Sequence, residues 1–274
     1  MNQFDEVIWT HVYGGRIVNS EVFLDDFDGD GRMEIIAGID NTGADQGYVI
    51  DYEQQSDGDW IEAWRFNTYE QSPFGCSQCA NRHNITGILL SSSSKRSMNK
   101  KIIAVSRDAN GWFPSRLSVL NSDGSLQGDF WHGGQLSWEM LIEDFDGDGL
   151  NELAIYGSNN DARQLWFADG SDTNFHGVFM LDMENVAGVA PPGPLSEGQG
   201  THKWYRLVFP QDGRISRLNI ADFDHDGLPD LGVWFTCGYE IFINHLGTII
   251  GGARADNAPC GPGDIMLSPL GYWF

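Results

Sequence analysis

The sequence predicts an all-β protein of four repeated units, each of about four short strands. Three observations carry this. An acidic motif recurs three times in register, at Asp25–Glu34 (DDFDGDGRME), Glu143–Glu152 (EDFDGDGLNE) and Ala221–Asp230 (ADFDHDGLPD). Each copy is preceded by alternating apolar residues and followed by a short apolar run, the signature of strand–loop–strand. No stretch of ten or more residues carries a convincing helical period.

The elements follow in chain order. The strands before the motifs contain Val22 and Leu24, Met140 and Ile142, and Leu218 and Ile220. The strands after them begin Ile35-Ile36-Ala37, Leu153-Ala154-Ile155 and Leu231-Gly232-Val233-Trp234. A further strand follows a turn at Tyr48–Tyr52, Gln164–Phe167 and Tyr239–Ile243. A hidden fourth copy has Ile88–Leu90, Lys101–Val105 and Arg116–Leu120 as its strands, with an acid-free loop from Ser91 to Lys100. Glu34, Lys101, Glu152 and Asp230 are its equivalent positions. Asp129–Trp131 and Lys203–Phe209 read as outer strands, and Asn121–Gly124 and Gln211–Gly213 as plain hairpin turns. The units run over approximately 12–66, 80–131, 135–209 and 214–274 of one domain, 1–274. The strand-like Glu6–Val12 has no preceding unit, so 1–12 is expected to pair near Tyr239–Ile243 or Gly247–Gly251 and close the last one. Ala187–Thr201, rich in Pro and Gly, reads as a long loop.

Composition narrows the function. Lys plus Arg is 16 and Asp plus Glu is 39, a formal net charge of -23. That balance argues against nucleic acid and anionic membranes, which select basic faces. With ten Trp and 12% aromatics the chain is not a disordered acidic tail. No apolar run reaches the roughly 18 residues of a bilayer-spanning helix. The N-terminus as written has neither the basic nor the apolar region of a signal peptide.

The four cysteines are Cys76, Cys79, Cys237 and Cys260. One CxxC without a second does not make a zinc ribbon, and Ala80 stands where a c-type haem motif needs His. An even count favours disulfides and an oxidising compartment. Four cysteines allow three pairings, of which Cys237 with Cys260 and Cys76 with Cys79 would tie down the C-terminal tail.

The motif has its own chemistry. Acids at positions 1, 3 and 5 of a tight loop converge on one point, and glycine at position 6 takes the sharp turn, as a hard cation such as Ca²⁺ requires. The acids are Asp26, Asp28 and Asp30; Asp144, Asp146 and Asp148; and Asp222, Asp224 and Asp226. An EF-hand would have Glu at position 12, where Ala37, Ile155 and Val233 stand. The fourth acid is instead at position 9: Glu34, Glu152 and Asp230. One acidic Asp-Gly loop could be a plain turn. Three with four acids each would repel strongly without a cation. Lys95, Lys100 and Lys101 cluster at the acid-free loop, with Lys101 in the position-9 slot.

DxDxDGxx[DE] between two strands, repeated, resembles the FG-GAP/VCBS repeat. The resemblance implies a β-propeller, here of four or five four-stranded blades, with structural Ca²⁺ held by side chains at positions 1, 3, 5 and 9. It also implies a backbone carbonyl ligand at position 7, which is Arg32, Leu150 and Leu228. Three calcium ions are expected. The implied function is a calcium-stabilised, extracellular or cell-surface recognition or adhesion module that binds glycan or protein and is not an enzyme. The alternatives are a structural subunit of an extracellular assembly and a carbohydrate-active enzyme such as a polysaccharide lyase. No GxSxG, HExxH, P-loop or helix-opening GxGxxG is present. Trp112 and Phe113 read as loop aromatics that either fold back on their own unit or stack on a sugar or partner. Trp60, Trp64, Trp131, Trp138, Trp166, Trp204 and Trp234 read as core between units.

Overall fold

The computed structural model describes residues 10, 16–40, 47–68, 83–92, 100–108, 115–132, 134–158, 176–190, 202–210, 215–254 and 265–267. These residues form strands, turns and bends only, with no helix among them. Apart from Thr10, which is exposed and in no strand, the strand expected over Glu6–Val12 lies outside the described residues, as do Gln164–Phe167, Gln211–Gly213, Trp112, Phe113, Trp166, Cys76, Cys79 and Cys260.

Four antiparallel sheets follow one another along the chain. The first holds β1 (Arg16–Asp25), β2 (Glu34–Asp40), β3 (Tyr48–Gln54) and β4 (Trp60–Asn67) in sequence order. The second repeats this with β5 (His83–Ser92), β6 (Lys100–Asp108), β7 (Ser115–Asn121) and β8 (Leu126–His132). The third is built from β9 (Gln135–Glu143), β10 (Glu152–Ser158), β11 (His176–Asp182) and β13 (His202–Pro210). The fourth holds β14 (Ile215–Ala221), β15 (Asp230–Phe235), β16 (Tyr239–Ile243) and β17 (Ile249–Arg254). Two short strands extend the second and third sheets. β12 (Gly188–Ala190) lies parallel to β8, and β18 (Ile265–Leu267) pairs with β13. β12 falls inside the segment read from sequence as loop. The place beside β10 belongs to β11, whose Val178–Leu181 is a fully buried run.

In the first, second and fourth sheets the four main strands pair with their neighbours in the chain, and in the third β12 leaves for the second sheet between β11 and β13. The turn at Asn121–Gly124 is the expected hairpin, closed by the Gly124 N–H donating to the Asn121 carbonyl at 3.0 Å. Gln55–Gly58 and Asn244–Gly247 close the same way at 2.9 and 2.8 Å.

Apolar faces on both sides of a sheet demand a neighbour on each side, and the core obeys this. Ile36 and Val49 of the first sheet meet Ile85, Ile88, Ile102 and Leu120 of the second. Ile103, Val105, Leu117 and Val119 of the second meet Leu153, Ile155, Phe179 and Leu181 of the third. Ala154, Val178, Met180 and Trp204 of the third meet Leu218, Val233, Ile241 and Ile243 of the fourth. The opposite face of the first sheet carries its own buried cluster, with Ala37, Ile39, Tyr48, Ile50 and Tyr52.

The first strand of every sheet is bulged against the second, with register shifts at Ile17/Val22, Ile85/Gly87, Ile155/Gly157 opposite β9, and Ile215/Arg217. Bulges re-aim side chains. On β9 the shift carries Trp138 out to 61% exposure, so this tryptophan is not core. Trp131 and Trp204 are buried, and Trp60, Trp64 and Trp234 are half-buried.

Candidate metal centres

The three acidic loops join the first and second strands of the first, third and fourth sheets. Asp26, Asp144 and Asp222 each follow immediately on the last residue of β1, β9 and β14. Glu34, Glu152 and Asp230 open β2, β10 and β15. The strand ladder therefore fixes positions 1 and 9, and the loop between them has few ways to close.

One hydrogen-bond pattern recurs in all three. The position-9 carboxylate accepts from the N–H of the loop phenylalanine: Glu34 from Phe27, Glu152 from Phe145 at 2.8 Å, and Asp230 from Phe223 at 2.8 Å. The position-1 carboxylate accepts from the position-6 glycine N–H at 3.1 Å in each of the pairs Asp26–Gly31, Asp144–Gly149 and Asp222–Gly227. The position-5 carboxylate accepts from the position-7 N–H at 2.8 Å in each, for Asp30–Arg32, Asp148–Leu150 and Asp226–Leu228. Local carboxylate-to-backbone bonds of this kind set a tight Asx-turn geometry. The position-6 glycines need it: their φ values are 90°, 90° and 91°, where a Cβ is strained. Position 4 also turns left-handed. It is Gly29 at 81° and Gly147 at 74°, but His225 at 63° in the third loop.

The loop phenylalanine is the anchor. Phe27 is buried in the core between the first two sheets and Phe145 in that between the last two. Phe223 stacks on Phe242 of its own sheet, ring centroids 4.0 Å apart.

The folding brings carboxylate oxygens within 4.8 Å of one another for Asp26, Asp28, Asp30 and Glu34; for Asp144, Asp146 and Glu152; and for Asp222, Asp224 and Asp230. Asp148 and Asp226 lie outside these groups. Arg32, Leu150 and Leu228 sit at position 7 with their N–H groups turned to the position-5 acids.

Burial separates the acids. Glu34 is 4% exposed, Glu152 1% and Asp230 0%. Burial pushes all three carboxyls above the usual carboxylate range. Glu34 Oε1, Asp230 Oδ1 and Asp144 Oδ1 are buried acceptors with no hydrogen-bond partner. A buried carboxylate oxygen left unpaired is costly, and a hard cation is the group that would satisfy it. The donor set, all oxygen and all anionic, fits Ca²⁺ or Mg²⁺ rather than a soft metal.

Three basic residues respond differently. In the first loop Arg32 hydrogen-bonds Asp30 and pairs with Glu53 on β3. That guanidinium hydrogen bond holds Asp30 below the usual range. Lys100, from the start of β6, donates to Asp25 and to the Asp26 carbonyl, bracing the loop without touching its position-9 acid. In the third sheet Lys203 of β13 reaches into the second loop, with Nζ 2.7 Å from Asp146 Oδ2, 3.5 Å from Asp148 Oδ2 and 2.6 Å from Glu152 Oε1. Burial opposes its charge, but the bonds to Asp146 and Glu152 outweigh that and hold the ammonium protonated well above the usual lysine range.

The second sheet has no acidic loop. Lys101, in the position-9 slot, is buried and donates to the Asn121 side chain at 2.7 Å.

Sequence reading missed Asp51. It lies on β3 opposite Ile36, is 3% exposed, and its Oδ1 has no hydrogen-bond partner. Burial first, then the charges of Glu34 and Asp28, push its carboxyl up to about 7. An acid in an otherwise apolar run, Tyr48-Val49-Ile50-Asp51-Tyr52, was the available signal.

Cys237 is buried and does not carry a free thiol.

No family model matches the chain, and no curated protein does. Similar solved structures include BBS1N in complex with ARL6DN, soaked with mercury, at 10% identity and TM-score 0.44, covering 91% of this chain and 72% of that one. The same complex soaked with lead gives 8% identity and TM-score 0.34, covering 90% and 85%. Likeness at this level assigns neither fold family nor function to this chain.

Proposed function

We propose that this chain is a calcium-stabilised β-propeller of the FG-GAP/VCBS type that serves as a non-enzymatic recognition module for glycan or protein outside the cell. The observation that carries it is the recurrence of one acidic loop, bond for bond, with a buried and unpartnered oxygen on Glu34 and on Asp230. Asp26, Asp28, Asp30 and Glu34 would hold one ion, and Asp222, Asp224 and Asp230 another. Asp144, Asp146 and Glu152 form the equivalent group around Lys203. Calcium supplies positive charge and oxygen coordination, which tie the first strand of a sheet to the second. Sheets stacked in chain order through apolar faces support a propeller arrangement, in which the first and last sheets would also meet. A buried Cys237 without a free thiol supports an oxidising compartment, and Cys260 is its proposed partner.

The test is a titration of the chelated protein with calcium, followed by a glycan array probed with and without calcium. Stoichiometric binding and calcium-dependent retention on the array are the expected results. A protein that binds no calcium at all would overturn the reading.

A further inference from the structure

We infer that Lys203 is the built-in counter-ion of the second acidic loop, so that this loop does the work of a metal site without a tightly bound metal. The inference rests on the calcium reading of the loops and divides it: the first and third loops need a cation, and the second carries its own.

Equivalent atoms of the three loops meet different partners. In every acidic loop one oxygen of the position-9 acid accepts the phenylalanine N–H. The other oxygen differs. Glu34 Oε1 and Asp230 Oδ1 are buried and have no partner. Glu152 Oε1 is 2.6 Å from Lys203 Nζ. The same ammonium is 2.7 Å from Asp146 Oδ2 and 3.5 Å from Asp148 Oδ2. It thus meets the acids at positions 3, 5 and 9, three of the four that a cation would draw together. Asp144 Oδ1 is left unpartnered in this loop, so a weak affinity for a cation persists there. An ammonium among these oxygens repels an entering divalent ion at a few ångströms, where unscreened like charges interact strongly.

Neither other loop is filled in this way. Arg32 engages Asp30 and Glu53 from the side, and Lys100 engages Asp25 and the Asp26 carbonyl. Neither bonds to Glu34. Among the described residues, the basic group paired with the third loop is His245, 3.9 Å from Asp226.

The test counts ions. Isothermal titration of the chelated protein with calcium is expected to show two tight sites, with the third at least tenfold weaker or undetected. Lys203→Met should bring the count of tight sites to three. Lys203→Arg, which keeps the charge, should leave it at two. Lys100→Met makes the same change in net charge beside the first loop and should also leave it at two. In chelator, Lys203→Met should melt at a lower temperature than the parent, because it leaves Glu152 buried and unpaired, and calcium should restore it. Three equal sites in the parent protein would overturn this inference and leave the calcium reading standing. A third site gained equally by Lys100→Met would overturn it too, since the effect would then be one of overall charge. No calcium bound by the parent or by Lys203→Met would remove the calcium reading and this inference together.

Discussion

At the scale of single residues, the three loops are near-copies, and their differences are therefore informative. His225 adopts φ 63° where the other loops have glycine. Left-handed backbone costs a residue with a Cβ about 1–2 kcal/mol, less for residues such as His that visit it more readily. His225→Gly is expected to stabilise the calcium-loaded protein by about 0.5–1 kcal/mol, after the entropy that glycine adds to the unfolded chain. Chemical denaturation measures this, and a loss of stability would show that the imidazole makes a contact worth more than the strain.

Asp51 gives a pH dependence. Its carboxyl is pushed up to about 7 in the fold, against about 4 in an unfolded chain. Between those values the native state keeps a proton that the unfolded state has released. Stability of the calcium-free protein therefore falls as pH rises from about 4 to 7, and the penalty is complete above 7. Asp51→Asn should remove that slope and stabilise the calcium-free protein at pH 8 by on the order of 2 kcal/mol. Parallel stability–pH curves for the two proteins would contradict the assignment.

At the scale of elements, the outer strand of one sheet docks on the hairpin turn of the next. The indole N–H of Trp64 on β4 donates to the Ser122 carbonyl at 3.1 Å, and that of Trp204 on β13 to the His245 carbonyl at 2.9 Å. Between them, Gln127 on β8 donates to the Met183 and Glu184 carbonyls at 2.9 and 2.8 Å. Each docking meets a backbone that has no room for a side chain. A Cβ at Gly124 would lie 2.4 Å from the Trp64 ring, whereas a Cβ at Gly58, in the equivalent turn of the first sheet, would meet nothing within 4 Å. Both glycines have positive φ, 77° and 92°. Gly58→Ala should therefore cost about 1 kcal/mol from backbone strain alone. Gly124→Ala should cost at least about 2 kcal/mol more, because the indole must move. Thermal or denaturant unfolding of both variants compares them directly. Equal losses would mean that the docking contributes little.

Much of this level was legible in the sequence. The paired strands around each acidic loop follow from period-2 alternation and short apolar runs, and the Asn121–Gly124 turn follows from its Asp-Gly. The second sheet was legible despite its missing acids, because Ile88–Leu90 and Lys101–Val105 keep the strand pattern. The position of β11 was not, since Gln164–Phe167 offered an equally apolar run closer to β10. Trp138 was misplaced because a bulge breaks the alternation on which facing is read. Lys203 was the largest omission. It meets Asp146 across 57 residues of sequence, and no local pattern reports such a contact. The one available signal was scarcity: a lone lysine on an apolar strand in a chain with so few.

At the scale of the whole molecule, a chain of net charge -23 gathers part of its acids in close groups. It concentrates them at the loops between the first and second strands, where loops and strands share the same carboxylates. A cation that binds only the folded loops stabilises the fold by mass action, by about 2.7 kcal/mol per site at a hundred times its Kd. The most direct measurement is thermal unfolding of the full chain in chelator and in millimolar calcium, with ionic strength matched by sodium chloride. The melting temperature is expected to be higher in calcium by on the order of 10 °C, since each kcal/mol moves a domain of this size by about 2–4 °C. The same melting temperature in both solutions would contradict the calcium reading of the loops.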